Sequence, residues 1–118
     1  MLDDTIKNEI NNPANFEKYK AIIQPKSNRD FKELILAGIG LLGADGNFNW
    51  IDTSKITAMS DLFTTEFNGD ISLWDVSNVI SMRSTFAYCS SFNRDISMWD
   101  VSNVTDMSFM FYSAINFN

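Results

Sequence analysis

Residues 67–79 read FNGDISLWDVSNV and residues 92–104 read FNRDISMWDVSNV, so one motif returns after 25 residues. The likeness extends past the motif, because 15 of the 27 pairs formed by residues 67–93 and 92–118 are identical. Residues 117–118 repeat the first two letters of the motif once more. A fixed period of this length indicates a repeat architecture whose neighbouring units stack on one another.

A divergent copy of the repeat precedes these two. Residues 52–59 align with residues 75–82, and Phe63 aligns with Phe86, although the spacer to the next phenylalanine is two residues shorter. We therefore expect an N-terminal helical segment and cap at residues 1–46 and a repeat region at residues 47–118. The expected units lie at about 47–66, 67–91 and 92–116, with the start of a further unit at 117–118.

Each unit has a pattern that predicts one short strand and one short helix. Residues 71–76 alternate as an extended segment does, and Val79, Met82 and Phe86 follow the i, i+3, i+7 spacing of a helical stripe. The sequence therefore predicts an α/β solenoid of about three units, each with a short strand plus a short helix or 3₁₀ turn. We expect its core to be formed by the recurring apolar residues Trp74, Trp99, Val76, Val101, Met82, Met107, Phe86 and Phe111.

Residues 26–43 have the pattern of one longer helix. Ser27 or Asn28 is suited to cap its start, and Gly43 is suited to end it. We expect this helix to cover the first repeat as an N-terminal cap. Its GIGLLG stretch, residues 38–43, matches a dinucleotide-binding fingerprint in letters only. It would end a helix instead of opening one, so we reject nucleotide binding.

Carboxylates and amides also recur with the repeat. Asp70 pairs with Asp95, Asp75 pairs with Asp100, and asparagines recur at positions 68, 93 and 118. We favour a structural interpretation, in which these side chains accept hydrogen bonds from turn amides once per unit. A bound cation is the weaker alternative, and it would make this a cation-stabilised solenoid. Asp45, Asn47 and Asn49 alternate as in a calcium loop but lack the glycine and glutamate of an EF-hand.

Composition argues against several functions. The net charge of −6 disfavours nucleic acid as a partner, and no apolar run is long enough for membrane insertion. The chain has no histidine, and Cys89 therefore has no imidazole to activate it. We expect no catalytic residues, no cofactor and no enzymatic activity. No signal peptide is visible, which indicates either a cytoplasmic protein or a piece of an exported one.

Function is therefore sought at positions that do not repeat. Arg83 and Tyr88, with Phe109 in the next unit, form a possible partner face for an unknown protein or glycan. A structural or self-assembling spacer is the alternative, since the last repeat has no evident cap and self-association through it is possible.

The motif FN-x-DIS-x-WDVSNV-x-x-M, read twice here, resembles the repeat of BspA-like leucine-rich-repeat surface proteins and the repeat of unknown function in mycoplasma-type surface lipoproteins. The resemblance covers roughly residues 26–118. It implies a leucine-rich-repeat-like right-handed coil, a cell-surface or secreted setting, and a role in adhesion or protein binding. It implies no catalytic residue and no cofactor.

Overall fold

The computed structural model describes residues 2–118, and its helices all lie before the repeats. They are α1 (Lys7–Ile10), a 3₁₀ turn (Pro13–Asn15), α2 (Phe16–Lys20) and α3 (Asn28–Leu42). Beyond Gly43 the described chain contains turns and bends but no helix and no strand. The only ladder-like pairs in the described residues are three isolated parallel bridges, which join Asn47 to Asp70, Ala58 to Ser81, and Ser81 to Asp106.

Helix α3 confirms the helix predicted for residues 26–43. The Ser27 hydroxyl accepts a hydrogen bond from the backbone N–H of Asp30 at 3.1 Å, which satisfies one free donor of the first turn. Gly43 ends the helix with a φ of 87°, a value that a residue with a side chain rarely adopts.

The inner face of α3 packs directly on the repeats. Phe31 is fully buried, and its ring centroid lies 5.0 Å from that of Trp74. A Cβ atom at Gly38 would lie 2.6 Å from the Phe48 ring, so this glycine allows the close approach of helix and repeat. At the start of α3 the Asn28 side chain donates a hydrogen bond to the Ser60 carbonyl at 3.0 Å.

The predicted α/β solenoid of strand-plus-helix units, and with it the leucine-rich-repeat-like coil, is wrong. The strand expected at residues 71–76 is a turn, in which the Trp74 N–H donates to the Ile71 carbonyl at 3.2 Å. The Ser72 N–H donates to the Asp70 carboxylate at 3.0 Å. Because a local side chain satisfies this amide, it takes no part in a strand ladder.

The helix expected after Val79 is also absent. Between Met82 and Cys89 the amides of Thr85, Ala87 and Cys89 each donate to the carbonyl three residues earlier, which closes successive β-turns. Ser84 and Tyr88 have φ values of 56° and 61°. A left-handed residue cannot continue an α-helix, and a positive φ at the third position is typical of type II turns.

The repeats nevertheless stack on one another in register. We call residues 47–66 coil 1, residues 67–91 coil 2 and residues 92–116 coil 3. Every second N–H of coil 2 over residues 82–88 donates to a carbonyl of coil 3. The four bonds run from Met82 to Asp106 (2.8 Å), Ser84 to Ser108 (3.0 Å), Phe86 to Met110 (2.8 Å) and Tyr88 to Tyr112 (2.7 Å). These bonds satisfy the amides that a helix would have paired internally.

Aromatic rings form three columns through the stacked coils. Centroid distances are 5.0 and 5.3 Å along Phe63, Phe86 and Phe111, 6.2 and 5.7 Å along Phe67, Phe92 and Phe117, and 6.3 Å between Trp74 and Trp99. The two indole planes differ by only 5°. Stacking of equivalent rings therefore provides the continuous core that a single coil could not form alone.

Candidate functional site

Six aspartates of the repeat region each cap a tight turn. In every case a carboxylate oxygen accepts the backbone N–H of the serine two residues later, at 2.9–3.0 Å. The pairs are Asp52–Ser54, Asp70–Ser72, Asp75–Ser77, Asp95–Ser97, Asp100–Ser102 and Asp106–Ser108. The structural interpretation of the recurring carboxylates predicts bonds of this kind, because an aspartate side chain can close a turn in place of the backbone.

Asp70 is the most heavily engaged of these carboxylates. Besides the Ser72 amide, it accepts the Ser72 hydroxyl at 2.7 Å and the Asn49 side-chain amide at 3.1 Å. Partial burial alone would raise the pKa of Asp70, but these hydrogen bonds outweigh burial and hold the pKa below its ordinary value. For Asp95, hydrogen bonds from Ser97 lower the pKa, while the nearby negative charge of Asp70 opposes that shift.

The weak cation candidates Asp70, Asp75, Asp95 and Asp100 thus already have hydrogen-bond donors. Within residues 2–118, no three or more His, Cys, Asp or Glu side chains are grouped so that they could hold a metal ion. The cation-stabilised alternative stays a prediction, which is tested by melting the protein with calcium and with chelator.

The asparagines that recur with the motif link the coils. The Asn93 N–H donates to the Asn68 side-chain oxygen at 2.9 Å, and the Asn118 N–H donates to Asn93 in the same way at 3.1 Å.

The structure buries both repeat tryptophans. Trp74 and Trp99 are only 5% and 8% exposed, and their indole N–H groups donate to the carbonyls of Phe48 (2.8 Å) and Ile71 (3.1 Å). Each indole therefore bonds to an earlier coil and lies in the core.

The apolar side chains of coil 2 are more deeply buried than their equivalents in coil 3. Val76, Met82 and Phe86 are at most 1% exposed, and Val101 is partly buried. Met107 and Phe111, which we expected in the core, are 44% and 36% exposed. The difference has a simple cause, since coil 3 covers coil 2 whereas no coil among the described residues covers coil 3.

The proposed partner face forms a compact cluster on one side of coils 2 and 3. The Arg83 guanidinium lies 5.1 Å from the Phe109 ring centroid and donates to the Ser108 hydroxyl at 2.7 Å. Tyr112 makes edge-to-face contacts with Tyr88 at 5.5 Å and with Phe109 at 5.9 Å. We call Arg83, Tyr88, Phe109 and Tyr112 the aromatic patch.

All three rings of the aromatic patch remain accessible to solvent. Tyr88, Phe109 and Tyr112 are 59%, 56% and 53% exposed. Sequence reasoning named the first two but missed Tyr112, which takes the place of Ala87 in the preceding repeat. That non-repeating position was the signal that could have identified it.

Left-handed backbone conformations recur beside and within the patch. Ser84 and Phe109 occupy equivalent positions with φ values of 56° and 57°, and Tyr88 and Ser113 do so with 61° and 57°. Such values strain residues that carry a side chain, and they persist where the surrounding contacts impose them. At Ser84 and Tyr88 the backbone amides donate to carbonyls of coil 3, which favours this conformation. Because these positions hold no glycine or asparagine, the sequence did not signal them.

Cys89 follows Tyr88 of the aromatic patch in the sequence, but its side chain is fully buried. Burial, followed by the charge of Glu66, raises the pKa of the Cys89 thiol to about 11. The thiol is therefore protonated at neutral pH, and the protonated form is a poor nucleophile.

One comparison with known proteins, the one with family models, identifies a family for this chain. Among the described residues, no helix has the length and apolar character needed to cross a membrane. The chain matches neither a curated protein nor a solved structure. Residues 41–118, which span the end of α3 and all three coils, match the model of a family described as "Mycoplasma protein of unknown function, DUF285". The chain therefore belongs to this mycoplasma protein family, DUF285.

Proposed function

We propose that the chain is a non-enzymatic binding module of a bacterial surface protein, and that it binds a protein partner through the aromatic patch. The observation that carries this proposal is the clustering of three exposed aromatic rings with an arginine at positions that do not repeat. Tyrosine, phenylalanine and arginine are enriched at protein interfaces, where they often provide much of the binding energy.

The geometry of the rings favours a protein over a glycan. Tyr112 meets Tyr88 and Phe109 at interplanar angles of 88° and 87°, so the three rings do not form one flat surface. A sugar ring stacks best on a flat face, whereas protein side chains fit between rings at right angles. A glycan is accordingly the alternative outcome of the binding test.

Chemistry elsewhere in the molecule supports a role without catalysis. Cys89 is buried with a raised pKa, and the recurring aspartates accept hydrogen bonds from their own turns. The resemblance to BspA-like surface proteins supports a surface setting and a role in adhesion, which also stay part of this proposal.

The proposal is tested by capture from host-cell and bacterial lysates, together with a glycan array. A patch variant carries Tyr88→Ser and Phe109→Ser, and a control carries Ile22→Ser and Leu36→Ser, two apolar residues that are comparably exposed elsewhere. We expect a defined protein that binds the unmodified chain and the control but not the patch variant. Equal capture by all three, or binding confined to glycans, would contradict the proposal.

A second candidate function is structural, as a spacer whose repeats stack with other repeats. The exposure of Met107 and Phe111 favours it, because the equivalent residues of coil 2 are covered by a neighbouring coil. Self-association of this chain through coil 3 stays a prediction, and light scattering over a range of concentrations tests it.

A further inference from the structure

The outer side of coil 3 presents a row of free backbone donors. The amides of Met107, Phe109, Phe111 and Ser113 form no hydrogen bond with any residue that the structure describes. Their equivalents one repeat earlier, at residues 82, 84, 86 and 88, all donate to carbonyls of coil 3. Because the backbone repeats its conformation, the four free amides point onward from coil 3. We call this side, with its apolar side chains, the C-terminal face.

Apolar side chains on the C-terminal face are more exposed to solvent than their equivalents in coil 2. Met82 and Phe86 are fully buried beneath coil 3, whereas Met107 and Phe111 are 44% and 36% exposed. Phe111 therefore has a stacking partner on the coil 2 side, at 5.3 Å, and a partly open face on the other side.

The contacts between coils 2 and 3 indicate which groups a partner of the C-terminal face would provide. Four carbonyls of coil 3, at alternate residues, accept hydrogen bonds from amides of coil 2. In addition, the Trp99 indole N–H donates to the Ile71 carbonyl, and the Asn103 side-chain amide donates to the Ser77 carbonyl at 2.7 Å. On the C-terminal face the corresponding acceptors are the carbonyls of Ile96 and Ser102.

Residues 117–118 already occupy the first two positions of a further coil. Phe117 stacks on Phe92 at 5.7 Å and on Phe111 at 4.3 Å, as Phe92 stacks on Phe67 and Phe86. The Asn118 N–H donates to Asn93 just as Asn93 donates to Asn68.

We infer that the C-terminal face is a docking surface for one kind of partner, a further coil of the same repeat. This partner supplies four carbonyls at alternate residues, a tryptophan indole and an asparagine amide, and its phenylalanine stacks on Phe111. The inference deepens the second candidate function, since it names the partner of the end of the stack, and it does not rest on the aromatic patch. It rests on continuity with the interface between coils 2 and 3.

The polarity of the face makes two copies of it poor partners for each other. Over residues 107–113 both copies would present N–H donors, and two donors placed opposite each other form no hydrogen bond. The opposite end of the stack is partly covered by α3, because Asn28 donates to the Ser60 carbonyl and Gly38 packs against the Phe48 ring of coil 1. The self-association predicted from the sequence therefore does not pair this face with its own copy. The face requires a partner that presents a row of carbonyls.

The test appends a copy of residues 94–116 directly after Asn118, so that residues 117–118 begin the added coil. Residue-resolved amide hydrogen exchange is then measured at the four free amides, with the row at residues 82–88 as an internal reference. We expect exchange at the four amides to slow by about 100-fold or more, and the urea midpoint to rise.

The matched control has the same added length but carries serine at the added positions that correspond to Trp99, Asn103 and Phe111. We expect this control to leave the four amides as fast as in the unmodified chain. Unchanged exchange in the intact extension, or loss of protection in the reference row, would overturn the inference. Slowing that depends on the concentration of the unmodified chain would also overturn it, since two copies would then cover each other. None of these readouts depends on binding through the aromatic patch.

Discussion

Truncation of Phe86 tests whether the aromatic columns stabilise the fold as described. Phe86 is fully buried, and its ring centroid lies 5.0 Å from Phe63, 4.4 Å from Phe92 and 5.3 Å from Phe111. Removing a buried phenylalanine side chain costs about 3–5 kcal/mol, because apolar burial is lost and a cavity remains. With an m-value of about 1.5–2 kcal/mol/M, we expect Phe86→Ala to lower the urea midpoint by about 2 M.

The equivalent residue one repeat later provides a matched control. Phe111 is 36% exposed and is not covered by a further coil within residues 2–118, so we expect Phe111→Ala to cost about 1–2 kcal/mol. Both variants are measured by urea unfolding with tryptophan fluorescence. If Phe86→Ala proves too unstable to purify, Phe86→Leu and Phe111→Leu are compared instead, with the same order expected. Equal losses at the two positions would refute the columnar stack with an open last coil.

Three further predictions concern single side chains. The folded pKa of Asp70 is held below its ordinary value of 3.8, so the stability that this carboxylate contributes is present above that pH and is lost as the pH falls through the folded pKa. Urea midpoints measured from pH 7 to pH 2 should therefore fall less steeply in Asp70→Asn than in the unmodified chain. Ser113 is exposed with a φ of 57°, so Ser113→Gly should raise the unfolding free energy by about 0.5–1 kcal/mol. Ser91→Gly, at an exposed serine without a positive φ, should lower the unfolding free energy by a similar amount. Equal effects of the two substitutions would contradict backbone strain at Ser113. The thiol of Cys89, buried and with a pKa raised to about 11, should react with iodoacetamide at neutral pH only after denaturant is added, and rapid labelling of the folded protein would contradict its placement in the core.

The sequence predicted the repeat and the N-terminal helix but not the conformation of the coils. The register of the stack follows directly from the period, since equivalent phenylalanines and tryptophans stack. Helix α3 was also readable, because Ser27 and Gly43 are strong signals for a helix start and end.

The secondary structure within each coil was not readable for a physical reason. The i, i+3, i+7 spacing of Val79, Met82 and Phe86 fits a helix, but it fits successive turns that bury the same three side chains equally well. What decides between them is the pairing of alternate amides with the next coil, and that is a tertiary interaction. Ser84 and Tyr88 gave no local sign of their left-handed backbone.

The aromatic patch was partly readable. Comparison of the two repeats separates Arg83, Tyr88 and Phe109 from the positions that recur. It could not show that Tyr112 completes the cluster, because that contact depends on how the turns of coils 2 and 3 are placed side by side.

The most direct test of the stacked coils is amide hydrogen exchange on the unmodified chain. The structure predicts slow exchange at Met82, Ser84, Phe86 and Tyr88, whose amides donate to coil 3, and fast exchange at their equivalents Met107, Phe109, Phe111 and Ser113. Similar exchange in the two rows would contradict the account, because coils built as strand-plus-helix units would satisfy both rows in the same way.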